Sequence, residues 1–302
     1  MKISGFSFVK NAVKLYYPVE ESIRSILPIC DEFIIAVGQG DDTTREVIEG
    51  IGDPKIRIID TVWDPAETKA GLVMSNQTNL ALRECTGDWC FYVQADEAVH
   101  EDDLPLIRSR CEELLDDRRV EGLLFKYLHF WGDYDHYQKS HGWYPREIRI
   151  VRNHIGVKSV RDAQSFRLAN GQKLTVAPSK ARMFHYGCVR PPHLMQNKQK
   201  AFKTLYVGKK AMEDMFSSEP DVFDYGALNA LPRFRDSHPA VMKEKIQACD
   251  WKHLLRDVND PGARIQRKPH KHERIKNRIL TAIEQATALD FNHKNWKKLL
   301  NV

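Results

Sequence analysis

Over the first hundred residues the apolar positions alternate between two registers. The run "KISGFSFV" is β-branched and aromatic, and "EFIIAVG", "KIRIIDTVW" and "WCFYVQ" are short and apolar enough to be buried strands. Between them, "PVEESIRSILPIC" carries Val19, Ile23, Ile26 and Leu27 at helical spacing. "DDTTREVIEGI" reads as a helix with Asp42 or Thr43 as N-cap and Glu46 in the first turn, and "SNQTNLALREC" as a helix closed at Thr86-Gly87. Strands separated by helical segments imply βαβ units, hence a mainly parallel sheet with helices on both faces. Ligands bind such sheets at the carboxyl ends of the strands, beside the switch in strand order. Gly38 to Asp42 and Gln94 to Glu97 both stand at such ends.

Residues 121 to 190 differ in grain. "EGLLFKYLHFW", "REIRIVRN" and "KLTVAPSKARMFHYG" are short alternating stretches broken by aromatics, the pattern of antiparallel additions to the first sheet. After about Pro192 the three- and four-residue apolar spacing of helices runs almost to the end, in "HLMQNKQKAFKTLYVGKKAMEDMF", "PAVMKEKIQACDWKHLLRDV" and "HERIKNRILTAIEQATALDF". An α/β domain over residues 1–205 and a helical C-terminal extension over 206–302 are therefore expected.

Composition adds less. A chain of 302 residues can bury a substantial core without staples. The six cysteines lack C-x-x-C spacing and are expected as reduced, mostly buried thiols. "MKISGFSFVKNAV" has too short an apolar run for a signal peptide, and no run of about 18 apolar residues occurs, so a cytoplasmic protein is expected. The formal net charge of +5 is modest for this length. Much of it is local: "ARIQRKPHKHERIKNR" has seven Lys/Arg within sixteen residues, a solvated helix face or a contact for the inner face of a membrane.

The chemistry gathers where "WCFYVQADE" ends. Oxygen donors such as Asp96 and Glu97 suit Mg2+ or Mn2+ when substrate phosphates supply the remaining positions. The same acids could cap a helix starting near Glu101-Asp102-Asp103, and those three read as cap and solvated face. Composition and spacing leave both readings of Asp96 and Glu97 open.

The order of the pieces "FSFVKNA", "FIIAVGQGDDTT", "TNLALRECTGDW" and "FYVQADE" resembles the family 2 glycosyltransferases, nucleotide-sugar-dependent, inverting enzymes of the GT-A fold. The likeness covers the first hundred residues well and reaches weakly to about residue 190. It implies a GT-A catalytic domain over 1–205 with a mixed, mainly parallel sheet. Asp96 matches the last residue of the family's D-x-D motif, which meets metal and donor diphosphate; Gln94 stands in place of the first aspartate, and Glu97 matches the acid that follows. Asn79 matches an asparagine of the preceding helix, and Lys10 and Asn11 the turn after the first strand. Gly38 replaces the aspartate that reads the base in the family, with Asp41 or Asp42 in the second acidic place. "RMFHYG" resembles a segment in one branch whose histidine completes the metal site, which makes His185 a ligand candidate. "VKSVRDAQSF" lies where that branch carries an acid in a small-residue turn, which makes Asp162 the candidate base. Arg190 is the candidate cation for the leaving diphosphate.

The resemblance thus implies a hexosyltransferase-like enzyme using Mn2+ or Mg2+ and a nucleoside-diphosphate sugar, UDP-sugar favoured. A glycan or lipid-linked acceptor, as in polysaccharide biosynthesis, would supply the attacking hydroxyl. Trp131, Tyr134, Tyr137, Trp143 and Tyr144 suit a sugar-stacking platform, with core packing as the rival for each. A nucleotidyltransferase-like enzyme is the nearest alternative, since it too sets acids at strand ends to hold Mg2+. A basic nucleic-acid-binding protein is the other; the modest net charge and lack of a recognisable module count against nucleic acid. No phosphate loop of the G-x-x-x-x-G-K-[ST] type and no G-x-G-x-x-G after the first strand occurs.

Overall fold

The structure, a computed structural model, describes residues 1–64, 71–217, 219–256, 267–287 and 289–299. The amino-terminal half runs β1 (Ile3–Val9), α1 (Val19–Ile26), β2 (Glu32–Gly38), α2 (Thr44–Glu49), β3 (Ile56–Thr61), α3 (Leu72–Arg83) and β4 (Trp89–Tyr92). A short strand β5 (Glu97–Ala98) and helix α4 (Leu104–Glu113) follow, then β6 (Gly122–Gly132), β7 (Tyr137–Gln138), β8 (Arg146–Arg152), β9 (Val157–Val160), β10 (Ser165–Leu168) and β11 (Thr175–Val189). The remainder holds α5 (Pro192–Val207), α6 (Lys209–Phe216), α7 (Lys243–Gln247), α8 (Ile275–Thr287) and β12 (Lys297–Lys298).

One sheet organises the molecule, in the order β12-β11-β6-β8-β4-β1-β2-β3, with β5 on β11 and β7 on β6. Pairing is parallel through β3, β2, β1 and β4, and again between β6, β11 and β12. Between those blocks β8 runs antiparallel to both β4 and β6. The expected class, a mixed and mainly parallel sheet flanked by helices, is the one observed. One expectation needs correcting: β11 joins β6 in parallel rather than as an antiparallel addition.

The central strands are apolar without alternation because both their faces are covered. Phe33, Ile35 and Val37 of β2 pack with Ile23 and Ile26 of α1, while the intervening Ile34 and Ala36 pack with Ala81 and Leu82 of α3. The acidic run Glu101–Asp103 is a 3-10 turn leading into α4, with His100 accepting from Asp102 N at the cap; the helix-start reading of that run holds. All six cysteines are free. Among the described residues no helix is long and apolar enough to cross a membrane.

The carboxyl-terminal third is less helical than its spacing suggests. Within "PAVMKEKIQACDWKHLLRDV" the described residues, 239–256, form two 3-10 turns and the five-residue α7. Its apolar residues face the sheet instead: Met242 and Trp251 pack with Phe130, Tyr134, Phe184 and Tyr186, and Tyr225 and Leu228 pack with Trp131. A boundary at 205/206 falls inside α5, and β12 adds a strand to β11. Tyr225, Leu228, Met242 and Trp251 thus bring parts of this segment onto the sheet.

Candidate functional site

At β1 the strand order reverses: β2 and β3 lie on one side and β4 on the other. The carboxyl ends of β1, β2 and β4 meet there. Asp96 lies four residues beyond β4, nearly buried, and two groups approach its Oδ2. Lys198 of α5 donates from Nζ at 3.1 Å and gives a second hydrogen bond to the Gly187 carbonyl at 2.6 Å. His185 Nε2 stands 3.9 Å from the same oxygen. Burial alone would push the Asp96 carboxyl up, but Lys198, His185 and Arg190 outweigh it and hold it at about 2. Asp96 is therefore a carboxylate at any physiological pH.

Arg190, directly after β11, is fully buried. Its Nη1 donates to the Leu15 carbonyl at 2.7 Å, whereas Nε and Nη2 are buried without a hydrogen-bond partner. Its guanidinium and the Lys198 ammonium both lie 4.9 Å from the Tyr17 ring. A buried guanidinium with unmatched donors is costly unless an anion completes it.

The tautomer of His185 follows from its neighbours. His129 Nε2 lies 2.8 Å from the Tyr144 carbonyl, which can only accept, so that nitrogen carries the proton. Burial lowers both imidazoles below their ordinary range and keeps them neutral, leaving His129 Nδ1 as a lone pair. His185 Nδ1, 3.1 Å away, must then donate to it. The lone pair of His185 is left on Nε2, toward Asp96. Gly187 keeps that space open: a Cβ there would stand 2.6 Å from His185 Nε2 and 2.8 Å from Asp96 Oδ2.

Asp96 and His185 thus offer an oxygen and an imidazole donor, both suited to a divalent cation such as Mn2+. Among the described residues no group of three or more His, Cys, Asp or Glu is arranged to hold a metal. Glu97 does not join the pair. Both its oxygens receive the Arg149 fork at 2.8 Å, and Oε1 also accepts from Tyr127 Oη at 2.6 Å, all of them buried. Its role is corrected from metal ligand to counter-ion.

Gln94 turns inward: its Nε2 approaches Tyr92 Oη and the Ala163 carbonyl, each at 3.3 Å. The residue in the aspartate's place ties the end of β4 to the turn that bears Asp162. Asp162 Oδ2 accepts from Tyr206 Oη at 2.8 Å. Arg161 and Ala163 on either side have φ of 57° and 58°, a left-handed conformation that non-glycine residues rarely hold outside functional turns. Asn79 does not face the cleft. Its Nδ2 donates to the Ser159 carbonyl at 3.0 Å and its Oδ1 accepts from Ser159 N at 2.8 Å, which fixes α3 to β9 below that turn.

The β1 and β2 ends are joined by side chains. Asn11 donates to Asp41 Oδ1 at 2.7 Å and accepts from Asp41 N, and Lys14 pairs with Asp41 Oδ2. Asp42 accepts from Lys14 N and Thr44 N and so caps the entry to α2. Trp63, just beyond β3, explains Gly38: a Cβ at that position would collide with the indole. Lys10 Nζ lies 5.5 Å from the Trp63 ring, and Phe8 packs on it.

The aromatic platform is divided. Tyr134 is core, Tyr144 and Trp143 enclose His129 at centroid distances of 4.6 and 5.1 Å, and Trp131 joins Trp143 in the wall of a cavity. That cavity holds about 390 Å3 and is also lined by Phe223 and His270. A second, of about 400 Å3, opens on Tyr127, His129 and Tyr144.

Lys198, His129 and Trp63 were not singled out as site residues by the sequence. Lys198 sits in an ordinary amphipathic helix, and only its position shortly after Arg190 and the prolines could have drawn attention to it.

No protein-family model matches the chain, and no curated protein matches it. Among solved structures it is similar to S. aureus TarS at 17% identity and a TM-score of 0.40, covering 67% of this chain and 39% of that one. It is also similar to TarS 1-349 in complex with UDP, at 14% identity and 0.38, covering 72% and 73%. The glucosyl-3-phosphoglycerate synthase of Mycobacterium tuberculosis in complex with Mn2+, UDP and phosphoglyceric acid is similar at 19% identity and 0.30, covering 42% and 43%. The chain therefore spans well under half the length of the first of these. The likenesses are distant, and the site's own geometry carries the functional reading.

Proposed function

We propose that the chain is an inverting glycosyltransferase that moves a sugar from a nucleoside diphosphate, UDP favoured, to a hydroxyl of a glycan or lipid-linked acceptor. The observation that carries this reading is the Asp96 cradle: a permanently ionised carboxylate beside half-buried Lys198 and buried Arg190, at the switch point of the sheet. An anion with two phosphates satisfies the unmatched Arg190 donors, and Lys198 is near enough to share itself between Asp96 and that anion. Lys10, Asn11, Asp41 and Asp42 border the nucleoside end, and the Trp63 indole offers the base a stacking face.

Transfer is a single displacement. The acceptor oxygen forms a bond to the anomeric carbon, the bond from that carbon to the diphosphate oxygen breaks, and the diphosphate leaves with the electron pair. Asp162 takes the acceptor proton; Lys198 and Arg190 stabilise the charge gathering on the leaving group. Mn2+ or Mg2+ held by Asp96 and His185 would supply Lewis-acid neutralisation of the same phosphates. The aromatic-lined cavity beside His129 suits the acceptor, since flat rings cover the apolar side of a pyranose.

Calorimetric titration of UDP with and without Mn2+ tests the reading. Wild type should bind more tightly with metal. Asp96→Asn, which keeps a hydrogen-bond partner for Lys198, should lose the metal-dependent part with an unchanged melting profile. Metal-dependent UDP binding retained in Asp96→Asn would overturn the assignment, as would the absence of any nucleotide binding by wild type.

A further inference from the structure

Helix α8 carries two unlike faces. Thr281 Oγ1 accepts from His141 N at 2.8 Å, and Glu284 pairs with His141 Nδ1 at 3.0 Å, so this side is fastened to the loop after β7. Ile275, Ile279 and Ile283 stand one turn apart on another side and are 76%, 55% and 41% exposed. Leu289 and Phe291, past the end of the helix, are exposed as well. Isolated exposed isoleucines need no explanation, but three in register continued by Leu and Phe form a stripe.

Charge surrounds the stripe. Residues 267–287 and 289–299 contain nine Lys/Arg and three acids. Each acid is engaged: Glu273 by Arg267, Glu284 by His141 and Asp290 by Lys294. Arg274, Lys276 and Arg278, interleaved with the isoleucines, are exposed, as are Lys294, Lys297 and Lys298. Part of the basic run anticipated from the sequence, residues 263–266, lies outside the described residues, and Arg267 within it is neutralised by Asp224 and Glu273.

We propose that the α8 face is a docking surface for a bilayer containing anionic lipid, with the isoleucine stripe in the interface and the interleaved cations on the headgroups. A helix of 13 residues is too short to span a hydrocarbon core of about 30 Å, so it lies in the plane of the surface. Charge decides between a membrane and a second copy of the chain. A twofold contact would set this patch against itself, cation facing cation, whereas an anionic surface complements it. The orientation also serves the proposed reaction: Glu284, Gln285 and Leu289 line the cavity that reaches Tyr127 and His129, so a docked α8 brings the mouth of that cavity to the bilayer. This last point rests on the glycosyltransferase reading and favours a lipid-linked acceptor; the docking itself does not rest on it.

Co-sedimentation of the full chain with vesicles tests the docking without any assay of transfer. Vesicles of phosphatidylcholine with phosphatidylglycerol should retain the protein, and phosphatidylcholine alone should retain at least tenfold less. Ile279→Gln with Ile283→Gln should lower the partition coefficient about tenfold or more. Lys276→Gln with Arg278→Gln should lower it by a similar factor at low salt, and added salt should weaken wild type. These positions are exposed, and circular dichroism checks that the variants fold. Wild type that ignores the anionic vesicles, or binding unchanged in both variants, overturns the proposal. So does a dimer in analytical ultracentrifugation that the isoleucine variant dissolves, since a second copy then covers the stripe. If vesicles bind but UDP does not, the docking stands and the transferase reading falls.

Discussion

A neutral imidazole offers one lone pair, and at His185 its neighbour decides which nitrogen has it. His129 is held on both sides, by the Tyr144 carbonyl at Nε2 and by stacking on Tyr127 at 5.1 Å, so its Nδ1 presents a fixed acceptor. His129→Phe removes that acceptor and frees His185 to place its proton on Nε2, where a metal would bind. Mn2+ affinity, read by electron paramagnetic resonance without substrate, should fall about tenfold to a hundredfold, as for other groups that orient a ligand. His129→Gln, with a carbonyl able to accept, should recover most of it. Nitrogen NMR of metal-free protein should find the proton on Nδ1 of His185 in wild type; finding it on Nε2 would remove the argument. Asp96 and His185 were both singled out from the sequence, and the structure sets their side chains 3.9 Å apart. His129 was not, because its meaning lies in a contact made 56 residues away.

Between elements, the ion pair of Glu97 on β5 with Arg149 on β8 ties the strand after the Asp96 turn to the antiparallel strand of the sheet. Both side chains are wholly buried, and the pair lies between the rings of Tyr92 and Tyr127. Removing one charge from such a pair leaves the other without compensation. Glu97→Gln should destabilise by about 3 to 5 kcal/mol in denaturant unfolding, while Glu97→Gln with Arg149→Met should recover part of the loss. If Glu97→Gln unfolds like wild type, Glu97 is not the counter-ion described, and a place at the proposed metal site reopens for it. The amino-terminal strands and helices could be read from periodicity because each covers one face of a neighbour in sequence. The pairing of β11 with β6 could not, since it joins segments some fifty residues apart. The stretch around Trp251 misled for a related reason: its helical spacing of apolar residues is used to cover Phe130 and Tyr134, and Trp251 Nε1 donates to the Gly132 carbonyl.

At the scale of the molecule, His238 fixes how the chain beyond α6 returns to the sheet. Its Nε2 donates to the Tyr134 carbonyl at 3.0 Å, its Nδ1 accepts from Tyr186 Oη at 2.9 Å, and Phe130, Phe184 and Phe234 surround the ring. Burial pulls its pKa down to about 4, and the hydrogen bond to Tyr134 offsets only part of that. In the unfolded chain the same group titrates near 6.5. Above that value both states are neutral and the full stability is present. As pH falls from about 6.5 to 4 the unfolded chain takes up a proton that the folded one refuses, so stability declines, by about 3 kcal/mol at most, and levels off below. His238→Gln keeps a donor and an acceptor but has no proton to gain. Unfolding free energies measured at pH 7 and pH 5 should therefore differ less in the variant than in wild type, and the loss in wild type should include the fluorescence of Trp251, which packs in the same cluster. An equal acid sensitivity in both proteins would assign the effect elsewhere. A loss confined to wild type would show that the carboxyl-terminal third and the sheet unfold as one body, as their shared core requires.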